Sequence, residues 1–158
     1  MQRPTLLALK ALIALMLLLL VSCQLFLVPG TARNLAAGYP ELAGLQVPGI
    51  VIAVLFLVCV EIVMLCVWRL LSMVGEQNIF SSDAFRWVDL ILGAIIAATL
   101  LIVVADVLLF TAGVANPSVQ LLCALGIVVG SGLALLVGVM RGLLKNAAQL
   151  QHDLSEVV

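Results

Sequence analysis

The sequence predicts an all-α integral membrane protein, a bundle of four antiparallel transmembrane helices with both termini in the cytoplasm. Three observations predict it. Of the 158 residues, 65% are hydrophobic and 9% charged, with a mean hydropathy of +1.35, well above the apolar share of a soluble domain. The apolar residues gather into four runs, each long enough for the roughly 20 residues that cross a hydrocarbon core as a helix. Six of the 7 basic residues, Arg3, Lys10, Arg69, Arg86, Arg141 and Lys145, fall on one side of this layout, and only Arg33 falls on the other. Such a bias marks the cytoplasmic face, so the chain reads as a multi-pass membrane protein with both termini inside.

The first span, about 6–28, carries the one ambiguity of the layout. Arg3 and Lys10, an apolar run and then Leu20-Val21-Ser22-Cys23 resemble a lipoprotein signal cleaved before a lipidated cysteine. The residues that follow, "QLFLV", stay apolar to Val28, whereas a lipoprotein leads into a polar tether. Only with them does the run reach membrane-spanning length, so it is read as a span that Pro29 ends.

An outer loop over 30–47 follows, then a second span at about 48–73, a short inner loop over 75–86, a third span at about 87–110, a short outer turn and a fourth span at about 119–144. All five prolines (Pro4, Pro29, Pro40, Pro48, Pro117) fall at span ends or in loops, where a missing N–H is harmless. At this length the chain forms one domain, and residues 145–158 form a cytoplasmic amphipathic helical tail.

Small residues are expected to hold the spans together. In the fourth span Gly126, Gly130, Ala134, Gly138 and Gly142 recur every four residues, a ladder that admits another backbone closely. The third span offers Gly93, Ala94, Ala97 and Ala98, and the short turn predicts that these two helices pack as a hairpin along those faces. Whether the ladder also meets another copy stays open.

Polar groups inside the membrane are expensive and turn inward. At about 1.5 Å per residue, Glu61 lies near mid-membrane, level with Thr99 and Ser131. Asp106 lies in the outer leaflet, level with Ser22 and Gln24 and about 10 Å from Glu61 in depth. Glu61 has two readings: a neutral structural carboxyl donating to Thr99 or Ser131, or a proton or ion site. Ser22 and Gln24 are expected to turn toward Asp106, and Arg69 to pair with Asp89 at the inner boundary. The four cysteines, Cys23, Cys59, Cys66 and Cys123, lie in apolar runs and read as small buried hydrophobes, with a Cys23–Cys123 bridge as the alternative.

The inner loop reads "EQNIFSSDAFRWVD". Ser81 suits an N-cap, Asp83 favours a helix N-terminus, Phe80 can staple onto Phe85, and Trp87 anchors the interface. After Arg141 the last helix is expected to run on into the cytoplasm. There Leu143, Ala147, Leu150, Leu154 and Val157 form a four-three seam of about two heptads, too short to hold alone in water. Phe80, Ser81, Asp83, Leu150, Leu154 and Val157 are therefore candidate partner-surface residues. What covers the seam is the membrane interface, a second copy or another protein.

"WRLLSMVGEQNIFSSDAFRWVDLI", followed after another hairpin by "RGLLKNAAQLQHDLSEVV", resembles the bacterial family known as domain of unknown function 2975. The resemblance spans the chain in layout and rests on the Ile79-Phe80-Ser81 phrase and the Leu154-Ser155-Glu156-Val157-Val158 end. It implies a four-span inner-membrane protein without known catalysis. Many members are encoded beside small helix-turn-helix regulators, which implies membrane control of a transcription factor. The family's usual first span has no lipobox-like end, so Leu20-Val21-Ser22-Cys23 departs from its pattern.

Three function classes follow. The first is a regulatory or interaction protein presenting the inner loop and tail to a cytoplasmic protein or a second copy. The alternative is a subunit of an oligomeric transporter or proton- or ion-conducting assembly using Glu61. Against it, transporters commonly show inverted repeats and broken helices, and no proline interrupts the predicted spans. An enzyme is disfavoured, since there is no HExxH, no nucleophile with a histidine base and no phosphate-cradling glycine loop, and the lone His152 lies in the tail. No cofactor or metal is expected, and a formal charge of -1 offers no surface for direct nucleic-acid contact.

Overall fold

The computed structural model describes residues 3–75, 82–114 and 116–156. Their order is α1 (Arg3–Ser22), a π-helical turn (Cys23–Leu27), α2 (Val28–Gly38), a 3-10 turn (Pro40–Leu45), α3 (Gln46–Gly75), α4 (Ser82–Thr111) and α5 (Pro117–Glu156). There is no strand among the described residues. Four stretches are long and apolar enough to cross a membrane: Leu7–Leu35, Ala43–Met73, Arg86–Thr111 and Pro117–Asn146.

The first helix does not stop at Pro29. The chain stays helical through the π turn and on to Gly38, so most of the outer loop expected over 30–47 is helix. Proline inside a helix removes one N–H and pushes its ring against the carbonyl four residues back. Here the preceding turn widens to i→i+5 bonding, and the Val28 N–H donates to the Cys23 carbonyl. A local π adjustment of this kind lets a membrane helix carry a proline. The chain first turns extended at Tyr39, whose N–H donates to the Leu35 carbonyl at 2.9 Å.

The turn between α4 and α5 has clear local causes. Gly113 adopts φ +69, the left-handed conformation that closes a helix at low cost for glycine, and its N–H donates to the Phe110 carbonyl at 3.1 Å. Asn116 then caps α5: its Oδ1 accepts the Ser118 N–H at 3.1 Å, and Pro117 fills the first helical position, where no N–H is required.

The helices pack in chain order. α3 lies against α1 and α2 on one side and α4 on the other, while α5 lies along α4. No comparable contact among the described residues joins α5 to α1 or α3, so the bundle is an open row. Its core is thin: Ile13, Cys66 and Ala94 are the buried hydrophobics among the described residues, and no polar or charged one is buried there. Lipid, which is as apolar as leucine, covers the remainder without cost.

Where α4 meets α5, small residues set the separation. A methyl group built on Gly130 would overlap the Thr99 side chain, and one on Gly126 would lie 3.1 Å from Ile102 Cδ1. The remainder of the ladder behaves differently. Gly93, Gly138 and Gly142 have open space where a side chain would be, and Ala97 is exposed. The close approach is therefore confined to the half of the hairpin next to its turn. Ala94 is the buried small residue of α4, and Ala134 is half-buried.

Candidate functional site

Two polar clusters stand out from the apolar spans. The first joins the π turn to α3. Gln24, in the π turn, donates from Nε2 to Glu61 Oε1 at 2.8 Å, and both residues are half-buried. Glu61 thus takes its hydrogen bond from the first helix, not from Thr99 or Ser131. Those two hydroxyls satisfy themselves within their own helices: Thr99 Oγ1 donates to the Ile95 carbonyl at 2.8 Å and Ser131 Oγ to the Ile127 carbonyl at 2.7 Å. The continued helix explains the change of partner. With the span running from Leu7 to Leu35, Gln24 is near its middle and reaches the depth of Glu61.

Asp106 consequently loses both expected partners. Gln24 is engaged by Glu61, and Ser22 Oγ donates to the Leu18 carbonyl at 2.8 Å. Asp106 Oδ1 is buried with no hydrogen-bond partner among the described residues. Cys23 and Cys123 are free thiols, as are Cys59 and Cys66, so the bridge between the first two is not formed. Beside Cys123, the half of the row next to the α2–α3 and α4–α5 connections opens into an apolar crevice of about 920 Å³, with walls that include Leu35, Phe56, Ile102 and Val129.

The second cluster lies at the opposite boundary, near the start of α4. Arg141 of α5 grips Asp89 of α4 with both arms, Nε to Oδ1 at 2.5 Å and Nη2 to Oδ2 at 2.7 Å. The pairing expected from depth alone was Arg69 with Asp89; Arg69 instead is exposed. Depth does not determine azimuth, and Arg141 continues the face that Gly126 and Gly130 turn toward α4. The two side chains are 47% and 45% exposed, so the fork fixes orientation more than it adds stability. Arg141→Ala is expected to cost about 0.2–1 kcal/mol and less at high salt. Thermal melts of the detergent-solubilised protein at two salt concentrations check this, with the Asp89→Arg/Arg141→Asp exchange expected to recover most of the loss.

Of the candidate partner-surface residues, Phe80, Ser81 and Val157 lie outside the described residues. Asp83 falls in the first turn of α4, and Leu150 and Leu154 fall within helical α5. The helix of 40 residues is about 60 Å long at 1.5 Å per residue. That is roughly twice the ~30 Å hydrocarbon core, and about 20 Å of it lies beyond Arg141 by the same rise.

The π turn, the Gln24–Glu61 bond and the Arg141–Asp89 fork are the features that the residues alone did not locate. The available signal for the first two was Pro29 following an apolar run that continues to it, which marks a wide turn as well as it marks an end. The model of a family described as "Protein of unknown function (DUF2975)" matches residues 30–158. No curated protein and no solved structure matches the chain.

Proposed function

The chain belongs to the DUF2975 family, and on that premise we propose that it is a non-catalytic protein of the bacterial inner membrane that presents a cytoplasmic surface to a partner protein. The observation that carries this reading is the length of α5, 40 residues where about 20 cross a bilayer. Six of 7 basic residues lie on the side where it projects, which supports a cytoplasmic location for the tail and for both termini. The Arg141–Asp89 fork holds the base of that projection against the first turns of α4. A soluble transcription regulator of the helix-turn-helix class is the partner that the family resemblance suggests. Deleting 149–158 is expected to leave membrane insertion intact and to abolish copurification of the soluble partner. Undiminished copurification would remove the tail from the role.

The Gln24–Glu61 bond favours a second reading, a subunit of an assembly conducting protons or ions. On the interaction reading Glu61 is structural: its carboxylate is matched to a side-chain amide, and no cation partner reaches it among the described residues. Glu61→Gln in proteoliposomes is then expected to leave proton and cation flux at the unsubstituted level. A measurable flux lost in the variant would favour conduction.

A further inference from the structure

We propose that α5 is a homodimerisation helix, pairing in parallel with α5 of a second copy along one seam that begins in the membrane and continues into the cytoplasm. The seam starts at Gly132 and passes through Leu136, Val139 and Leu143. Leu136, Val139 and Leu143 are 58%, 62% and 63% exposed, and Gly132 has nothing within 4 Å of where a side chain would be. In the sequence the same spacing carries on through Ala147, Leu150 and Leu154, and the helix backbone runs without a break to Glu156. Steps of four, three, four, four, three and four residues are those of a left-handed coiled coil with a single four-residue insertion at the membrane boundary.

Two independent contacts show that this face is not turned toward the chain's own helices. Gly126 and Gly130 meet Ile102 and Thr99 of α4, and Arg141 grips Asp89. Both contacts belong to a face roughly 140° around the helix from the seam, at 3.6 residues per turn. α4 thus fixes the rotation of α5, and the seam is directed away from it.

Within the bilayer lipid covers such a face at no cost, but beyond the boundary water does not. The apolar positions of the projecting turns therefore call for a protein surface or an interface. A second copy is the occupant that the geometry favours. It supplies a helix of the same length, inserted to the same depth and in the same direction, so that one register satisfies the membrane and cytoplasmic halves together. The flanking positions of the tail heptads, Leu144, Asn146, Gln151 and Asp153, place no like-charged row against its twin. The isolated tail is too short to form a stable coil, but here the span has already nucleated the helix. Gly132 permits the close approach on which association in lipid depends. Pairing needs no soluble partner and so stands or falls apart from the interaction reading.

Oxidative crosslinking of single-cysteine additions in native membranes tests this, with the unsubstituted protein and its four native thiols as baseline. Leu136→Cys and Leu143→Cys are expected to give covalent dimers, while Ser131→Cys and Lys145→Cys, on the flank away from the seam, stay at baseline. Absence of dimer at both seam positions, or equal dimer at all four, would overturn the proposal. Stepwise photobleaching of a fluorescent fusion in native nanodiscs reads the same pairing without added cysteines. Two steps are expected for the unsubstituted chain, and at least a tenfold weaker association for Leu150→Lys/Leu154→Lys, whose changes lie outside the bilayer and leave insertion intact. Single-step bleaching of the unsubstituted chain, or unaltered pairing in the double variant, would overturn it.

Discussion

Gly130→Ala is expected to destabilise the protein by about 1–3 kcal/mol, the range of an overpacked interior, although it adds one carbon and improves helix propensity. The new methyl would overlap Thr99 Oγ1 and lie 3.2 and 3.3 Å from Thr99 Cβ and Cγ2. Rotating the Thr99 hydroxyl out of the way would forfeit its bond to Ile95. The helices themselves must separate. Thr99→Ala removes the overlapping Oγ1 and the crowding Cγ2 and leaves only the Cβ at 3.2 Å, so Gly130→Ala/Thr99→Ala is expected to recover most of the loss, a coupling of the kind seen between residues in contact. The same change at Gly93, where space is open, is expected to stay within about 0.5 kcal/mol. Steric-trap unfolding in bicelles measures all four proteins. Equal losses at Gly130 and Gly93 would show that the hairpin does not depend on this approach.

Gln24→Leu is expected to cost about 1–3 kcal/mol, the penalty of leaving a shielded polar group without its partner. A hydrogen bond between membrane helices is itself worth little, on average about 0.6 kcal/mol. The cost arises from Glu61, whose Oε1 loses its donor at 2.8 Å in apolar surroundings. The two changes together, Gln24→Leu/Glu61→Leu, remove both polar groups and are expected to be less damaging than Gln24→Leu alone. Unfolding measurements on the two single variants and the double variant decide this by the sign of the coupling. A double variant as unstable as the sum of the singles would mean that Gln24 and Glu61 act separately.

The sequence was legible wherever one physical rule acted alone. Hydropathy and length suffice for four crossing helices, and a short turn between Phe110 and Ser118 is enough to pair α4 with α5. It was misread where two rules competed. At Pro29 the proline rule favours an end and the apolar run favours continuation; continuation prevailed because a π turn at Cys23–Leu27 resolves the steric conflict. That shifted Gln24 toward mid-membrane and reassigned two polar contacts at once. The other errors concern rotation about helix axes. Residue counting gives depth and therefore brought Glu61, Thr99 and Ser131 to one level, but each hydroxyl turned to its own backbone. It paired Asp89 with Arg69, whereas the face of α5 already committed at Gly130 brought Arg141 to it. Azimuth depends on packing that a single apolar helix, hydrophobic all round, does not encode.

The direction of α5 is what the account depends on most, since a tail on the far side of the membrane could neither meet a soluble cytoplasmic partner nor join the basic inner surface. Gln149→Cys, exposed on the projecting turns of α5, exposes the point to one measurement: labelling by a membrane-impermeant maleimide in vesicles of known orientation. Strong labelling in inverted inner-membrane vesicles, with labelling in right-side-out spheroplasts no higher than for the unsubstituted chain, is the expected result. Labelling from the outside of intact spheroplasts would contradict it.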